Sequence, residues 1–422
     1  MAKKVKKPKN QKQVQAQLQN DFLKRLANAS KIMCGEDLIK MMPSSEYRKL
    51  VMVHGRPIEV IAGENQTIPR NILKAIQGLA IAQLKHEKIT IEETQKSISI
   101  YDYNIAGLTF ISYNFCFKNV DYKGASRVKE LIENSHFSTT LNFDTLYDAI
   151  FDQVLPNLIF YVNSFWGRYY TFSITSSLCK NHLGIHYQLE VKQHPIEKKK
   201  FAIGGHVRPA FRIGWTYKNE DFEWTDLSAK QLRLKNLPGD TPIQVYIQTH
   251  AISRLFERID CFYPQLLIFS IYSSIRIFRC IFHHGDYLIE CRILATKVGY
   301  FSASMKNGQL VIRTFLFLTF SGTPEGKRLE TAMGLEKLDS EYLKMDKISS
   351  FMSEKLAKDE TLRSIFENAN CRCFIELYDK LKDLTTLRFE HTPLEKLASY
   401  IHQDSTSLPT TEAYLCVDEW QA

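Results

Sequence analysis

The sequence predicts an α+β protein with a helical N-terminal region, a strand-rich antiparallel middle region and a helical C-terminal region. Three observations carry this expectation. Apolar residues recur at helix spacing through residues 21–88, several segments in residues 97–320 alternate with period two, and helix spacing returns after Gly322. With 422 residues, 44% of them hydrophobic and 24% charged, the chain can bury sizeable cores. Its 18 Gly and 13 Pro are too few for a fibrous or low-complexity protein.

Residues 1–20, dominated by Lys, Gln and Asn with Val5, Val14 and Leu18 as the large aliphatics, read as a disordered basic tail. The mostly helical region 21–96 carries one stripe at Phe22, Leu23, Leu26 and Met33. A second follows Pro69, at Ile72, Leu73, Ile76, Leu79, Ala80 and Leu84. Between them, VMVHGRPIEVIAGENQ reads as a short hairpin with turns near His54 and Gly63. Residues 97–322 form a basic, strand-rich α+β region, interrupted by helices at 126–134 and 143–154. In HLGIHYQLEVKQH, Leu183, Ile185, Tyr187, Leu189 and Val191 share one face of a strand. Strands are expected at 287–294, 298–305 and 310–320, the last two joined by Lys306-Asn307-Gly308, an Asn-Gly hairpin signal. Residues 323–403 read as an acidic helical region with helices at 328–338, 340–358, 361–368, 371–386 and 394–402. Thr392, Pro393 and Glu395 give the last helix a capping box. Residues 404–422 read as a polar tail.

The net charge of +9 is unevenly distributed. Residues 1–12 hold six Lys and no acid, residues 13–159 balance to zero, residues 160–324 hold 20 bases against 11 acids, and residues 325–422 hold 13 against 19. A basic middle block beside an acidic C-terminal block points to RNA or another polyanion as partner for the first. It leaves the helical C-terminal region for a protein partner.

Nine cysteines lie scattered without a CxxC pair, and the N-terminus has neither the apolar stretch nor the cleavage site of a secretory signal, so free thiols and a cytoplasmic location are expected. The uncharged run 261–275 spans 15 residues and contains Pro264 and Gln265, short of the ~20 apolar residues that cross a bilayer. It reads as buried core, and no membrane partner is expected.

No cofactor or metal is expected either. The stretch from Gly322 to Arg328 is one residue short of a phosphate loop and lacks the hydroxyl residue after Lys327. In the group Cys179, His182, His186, His194 and His206, spacing places only His182 and His186 on a shared strand face, too few for structural zinc. Lys198, Lys199, Lys200, Arg208 and Arg212, interleaved with Phe201, Phe211 and Trp215 and lying downstream of Trp166, Arg168 and Tyr169, read in two ways. The cations hold phosphates while the rings stack on unpaired bases, or the rings are core alternating with surface charge.

The strongest candidate site is the stretch from Gln248 to Ile259, a helix after a short strand at 243–247. At 3.6 residues per turn, His250, Arg254, Glu257 and Arg258 share one face, while Ala251, Ile252, Leu255 and Ile259 supply apolar contacts. Imidazole titrates near neutrality and guanidinium pairs with phosphate oxygens, a set suited to acid–base chemistry at a phosphodiester. The plainer reading is a solvated face with Glu257 paired to an arginine.

A helix bearing His-Ala and Glu-Arg with the intervening Arg254, followed by an antiparallel sheet, resembles the metal-independent ribonuclease toxins of the barnase, EndoU, colicin and RelE superfamily. The resemblance covers residues 243–322. It implies that His250 is the acid or base, that Arg254 and Arg258 hold phosphate, and that Arg313 or Thr314 on the last strand completes the site. Three expectations follow: a metal-independent endoribonuclease, a noncatalytic nucleic-acid-binding or adaptor protein, or an interaction protein whose charge has no special role.

Overall fold

A computed structural model describes residues 11–92, 94–117, 119–134, 141–163, 167–178, 185–217, 221–283, 285–333, 346–351, 360–373 and 376. The chain divides into two compact units, one of residues 1–159 with 172–192, the other of residues 160–171 with 193–422. Helices and strands both contribute, so the fold class is α+β. The expected helices at 340–358 and 371–386 lie largely outside the described residues, as do all of the helix at 394–402 with its capping box and the tail at 404–422.

The first unit is built from helices α1 (Gln11–Met33), α2 (Leu38–Met41), α3 (Ser44–Met52), α4 (Arg70–His86), α5 (Ile100–Asp102), α6 (Leu108–Cys116), α7 (Ala125–Glu133), α8 (Leu141–Ala149) and α9 (Leu155–Val162). Its strands are β1 (Glu59–Ala62), β2 (Lys88–Ile91), β3 (Lys96–Ser99), β4 (Arg168–Leu178) and β5 (Ile185–Pro195), with the last residues of α9, the first of β4 and the last of β5 falling in the other unit. Both predicted apolar stripes are core: Leu26 and Met33 of α1 and Ile76 and Leu79 of α4 are fully buried.

Three expectations for this part of the chain are corrected. Helix α1 starts at Gln11, so half of the expected tail is helical. Its Val14 and Leu18 stay exposed, and the Gln-, Ala- and Lys-rich turns have high helix propensity. The segment around His54 is no hairpin, because β1 pairs in parallel with β5, Glu59 to Gln188 through Ala62 to Val191. Gly55 instead lies so close to the backbone of Asn104 that a Cβ would sit 1.9 Å from its carbonyl oxygen. Among the described residues of 100–162 there is no strand, only helices and the turns that join them, with π-helical turns at Tyr103–Gly107 and Ile150–Val154, so the strand-rich region begins at Arg168. The run from Tyr103 to Tyr113 is buried on all sides, and an all-round apolar helix has no amphipathic period to read.

The second unit centres on an eight-stranded sheet ordered β12-β13-β14-β15-β11-β7-β6, with β10 pairing β11. The strands are β6 (Lys198–Ile203), β7 (His206–Arg212), β10 (Asp226–Ser228), β11 (Pro242–Gln248), β12 (Cys280–His283), β13 (Asp286–Ile293), β14 (Thr296–Lys306) and β15 (Gln309–Phe317), with a separate hairpin of β8 (Gly214–Tyr217) and β9 (Asp221–Trp224). Most neighbours run antiparallel, whereas β11 pairs with β15 in parallel, Val245 to Leu310 and Ile247 to Ile312. Between them the chain forms α10 (Thr249–Arg258) and α11 (Pro264–Ile277). The uncharged run lies in α11, where Leu267, Ile268, Ile271 and Ile275 are buried. Helices α12 (Pro324–Met333) and α13 (Glu360–Asn368) follow. Thr323 caps α12 by accepting from the Gly326 amide at 2.9 Å, which explains the glycine-containing loop without a phosphate. No helix among the described residues is long and apolar enough to cross a membrane.

Two tight turns connect β13 to β14 and β14 to β15, and both hold their central residues at positive φ. Asn307-Gly308 suits that conformation; Leu294-Ala295, at φ 48° and 65°, does not. A left-handed conformation costs a residue with a Cβ about 1–2 kcal/mol, and Leu294 is 43% exposed, so little core depends on it. Replacing Leu294-Ala295 by Asn-Gly should raise stability by about 1–2 kcal/mol, read as a higher urea midpoint at unchanged m-value.

Candidate functional site

Strand β11 positions the candidate helix. Ile243, Val245, Tyr246 and Ile247 are all at most 3% exposed, held between β7 and β15. Helix α10 starts one residue beyond it and buries Ala251, Ile252 and Leu255, with Ile259 at its end, on the sheet side. The register brings the candidates to one end of the sheet. Gln248 ends β11 opposite Ala210; two positions further in the chain, in the first turn of α10, is His250, and two back along β7 is Arg208. On the other side, one position past the pair Ile247–Ile312 lies Arg313, followed by Thr314.

His250 is half-buried in the first turn of α10. Burial lowers its pKa below the ordinary 6.5, and the nearby Arg208 and Arg254 guanidiniums lower it further against the opposing pull of Glu257. These influences favour the neutral imidazole over the charged one. Arg254 donates to Glu257 at 2.7 Å, the pairing that the plainer reading anticipates. Arg258 pairs with Asp346, from the acidic block. Arg313 pairs with Asp286 and donates to Ser302 Oγ at 2.9 Å. Thr314 is half-buried and faces Ser302 across the ladder. Arg313 Nε and Gln248 Nε2, on adjacent strands, are both buried without a hydrogen-bond partner.

The basic residues of β6 and β7 fall into two groups. Arg212 is only 12% exposed, ion-paired at 3.0 Å to both Glu197 and Asp226, and stacked 4.9 Å from the Trp224 ring. Lys199 pairs with Glu197 at 3.0 Å and lies over the Tyr246 ring. Burial pushes the Glu197 carboxyl up, but hydrogen bonds from Tyr246, Lys199 and Arg212 outweigh it and bring the pKa down to about 2. These two cations are committed to the protein. Lys198 lies over the Phe211 ring and is exposed, and Lys200 and Arg208 are exposed with no carboxylate at ion-pair distance among the described residues.

The aromatic residues between these cations are core. Tyr169, Phe201, Phe211 and Trp215 are at most 6% exposed, so none is open to a base; Trp166 lies outside the described residues. His194 contacts Thr171 Oγ1 at 3.0 Å and stacks on Phe222, which gives it a structural place. Among the described residues no three His, Cys, Asp or Glu side chains converge as metal ligands, and seven cysteines are free thiols. Sequence reading missed Glu197, Asp226, Asp286 and Asp346, the carboxylates that neutralise Arg212, Arg313 and Arg258. No local spacing signals them, since each lies more than a dozen residues from the arginine it neutralises.

Because two guanidiniums depress the His250 pKa, Arg208→Ala and Arg254→Ala should each move it upward toward 6.5. The pH titration of the His250 ring protons by NMR checks this, and Glu257→Gln should shift it the opposite way.

No protein-family model matches the chain, and neither a curated protein nor a solved structure does so.

Proposed function

We propose that this protein contacts RNA through its phosphates, along the β6–β7 hairpin and the head of α10. The observation that supports this reading is the placement of Lys200 and Arg208, exposed and without a carboxylate partner among the described residues, at the sheet end where His250 begins its helix. Lys198 adds a third exposed cation on the same hairpin. Each cation that meets a phosphate releases a counterion, giving affinity that falls with salt. Arg254 joins them at little expense, because its pair with Glu257 is about 40% exposed on both sides and such a pair is worth about 1 kcal/mol or less.

A second reading, metal-independent cleavage, is favoured by the imidazole of His250, which burial and the Arg208 and Arg254 guanidiniums keep toward its neutral form. Such a base takes the proton of a ribose 2′-hydroxyl as its oxygen bonds to the adjacent phosphorus. The P–O5′ bond then breaks and the leaving oxygen takes a proton, which yields a 2′,3′-cyclic phosphate while the guanidiniums hold the nonbridging oxygens.

Anisotropy titrations of a labelled single-stranded RNA should give affinity that falls steeply with ionic strength, and Lys200→Glu with Arg208→Glu should weaken it about tenfold or more at low salt. Unchanged affinity in that double variant would overturn the interface. Total RNA incubated in EDTA separates the two readings. Cyclic ends that vanish in His250→Ala establish cleavage, whereas intact RNA with both proteins leaves binding alone.

A further inference from the structure

The stripe of α10 does not end at Arg254. His250, Arg254 and Arg258 follow one another at four-residue intervals, about 6 Å apart along the helix axis, so a chain of phosphates lying on the first two would next meet the third. That third guanidinium is already taken by the Asp346 carboxylate. Asp346 belongs to the block 325–422, in which acids outnumber bases by 19 to 13. A carboxylate and a phosphate diester offer guanidinium the same thing, a pair of anionic oxygens suited to a forked donor.

We infer that the segment 346–351 is a built-in competitor for RNA at the far end of this stripe, with Asp346 standing where a phosphate would bind Arg258. This rests on the RNA-contact reading above. The segment has an anchor separate from the contested contact. Ile348 is fully buried at the start of a 3₁₀ turn, Ile348–Phe351, and Asp260 accepts from the Ser349 amide at 3.1 Å and from its hydroxyl at 2.7 Å. Those contacts hold the segment to the end of α10 without help from Asp346. The Asp346 side chain is 23% exposed and that of Arg258 19%, so water reaches both and one carboxylate can turn away while Ile348 stays in place. The effect of the pair is to cancel the last positive charge of the stripe, and RNA must displace Asp346 to extend its contact from Arg254 to Arg258.

The test is a double-mutant cycle on the full chain, read by anisotropy with a labelled single-stranded RNA across a salt series. Asp346→Asn should tighten binding about threefold to tenfold at low salt and steepen the salt dependence by about 0.7, the value of one more phosphate contact on a single strand. Arg258→Ala should change little in the wild-type background and abolish the gain in Asp346→Asn. Asp240→Asn, an equal change in net charge at an exposed loop position, should give no such gain. RNA bound by the wild type with no gain in Asp346→Asn, or a gain that survives Arg258→Ala, overturns the competitor and leaves the RNA-contact reading standing. No binding by any variant at low salt overturns both. Should Asp346→Asn lose its cooperative thermal transition, hydrogen exchange on the wild-type chain carries the test. RNA should speed exchange next to Asp346 while the Ile348 turn stays protected, and unchanged exchange at both overturns the proposal.

Discussion

The second unit depends on one pairing, the parallel ladder between β11 and β15. It places a strand buried from Val245 to Gln248 between two others, and the chain leaves that strand as α10, packed on the sheet. Everything proposed about His250 follows from that exit. The imidazole sits in the first helical turn because the strand ends at Gln248, it neighbours Arg208 because β7 runs antiparallel on the same strand, and it shares an end of the sheet with Arg313 because β15 runs parallel on the other. A helix with the same residues but no such ladder would be a solvated amphipathic helix and nothing more.

Charge alone is a poor guide to which cations of this surface are free. The basic block of residues 160–324 has an excess of nine cations, yet Arg212, Lys199, Arg258 and Arg313 are all engaged by carboxylates, Lys199 by the neighbouring Glu197 and the arginines by partners more than a dozen residues away. On the β6–β7 edge hairpin, by contrast, Lys200 and Arg208 stay exposed with no carboxylate at ion-pair distance among the described residues. There, exposed lysines also serve a second purpose, because a charged edge strand discourages pairing with another chain.

What was legible in the sequence was what local periodicity encodes. The stripes of α1 and α4, the alternation at Tyr187, Leu189 and Val191, the face of α10 and the turn at Asn307-Gly308 are each fixed by residues within a few positions of one another, and each is present. Two kinds of feature were not legible. Helices buried on all sides, such as the run through Phe110, carry no amphipathic signal. Long-range partners, such as β5 for β1 and Asp346 for Arg258, leave no mark near the residue they complete. The candidate helix and its Arg254–Glu257 pair could therefore be found from sequence, while Asp346, the carboxylate that takes Arg258, could not.

The two-residue turns of the large sheet have a consequence for the order in which it assembles. Asn307-Gly308 falls readily into the conformation its turn needs, so β14 and β15 can zip together early. Leu294-Ala295 resists its turn, and β13 joins more slowly than a hairpin of that length otherwise would. The parallel ladder comes last, since Val245 must find Leu310 across a 65-residue separation and repay that loop-closure entropy in a single step. Until then, β11 has an open edge of Val, Tyr and Ile, and a nascent chain stalled or truncated before β15 would leave that edge unpaired and open to another chain.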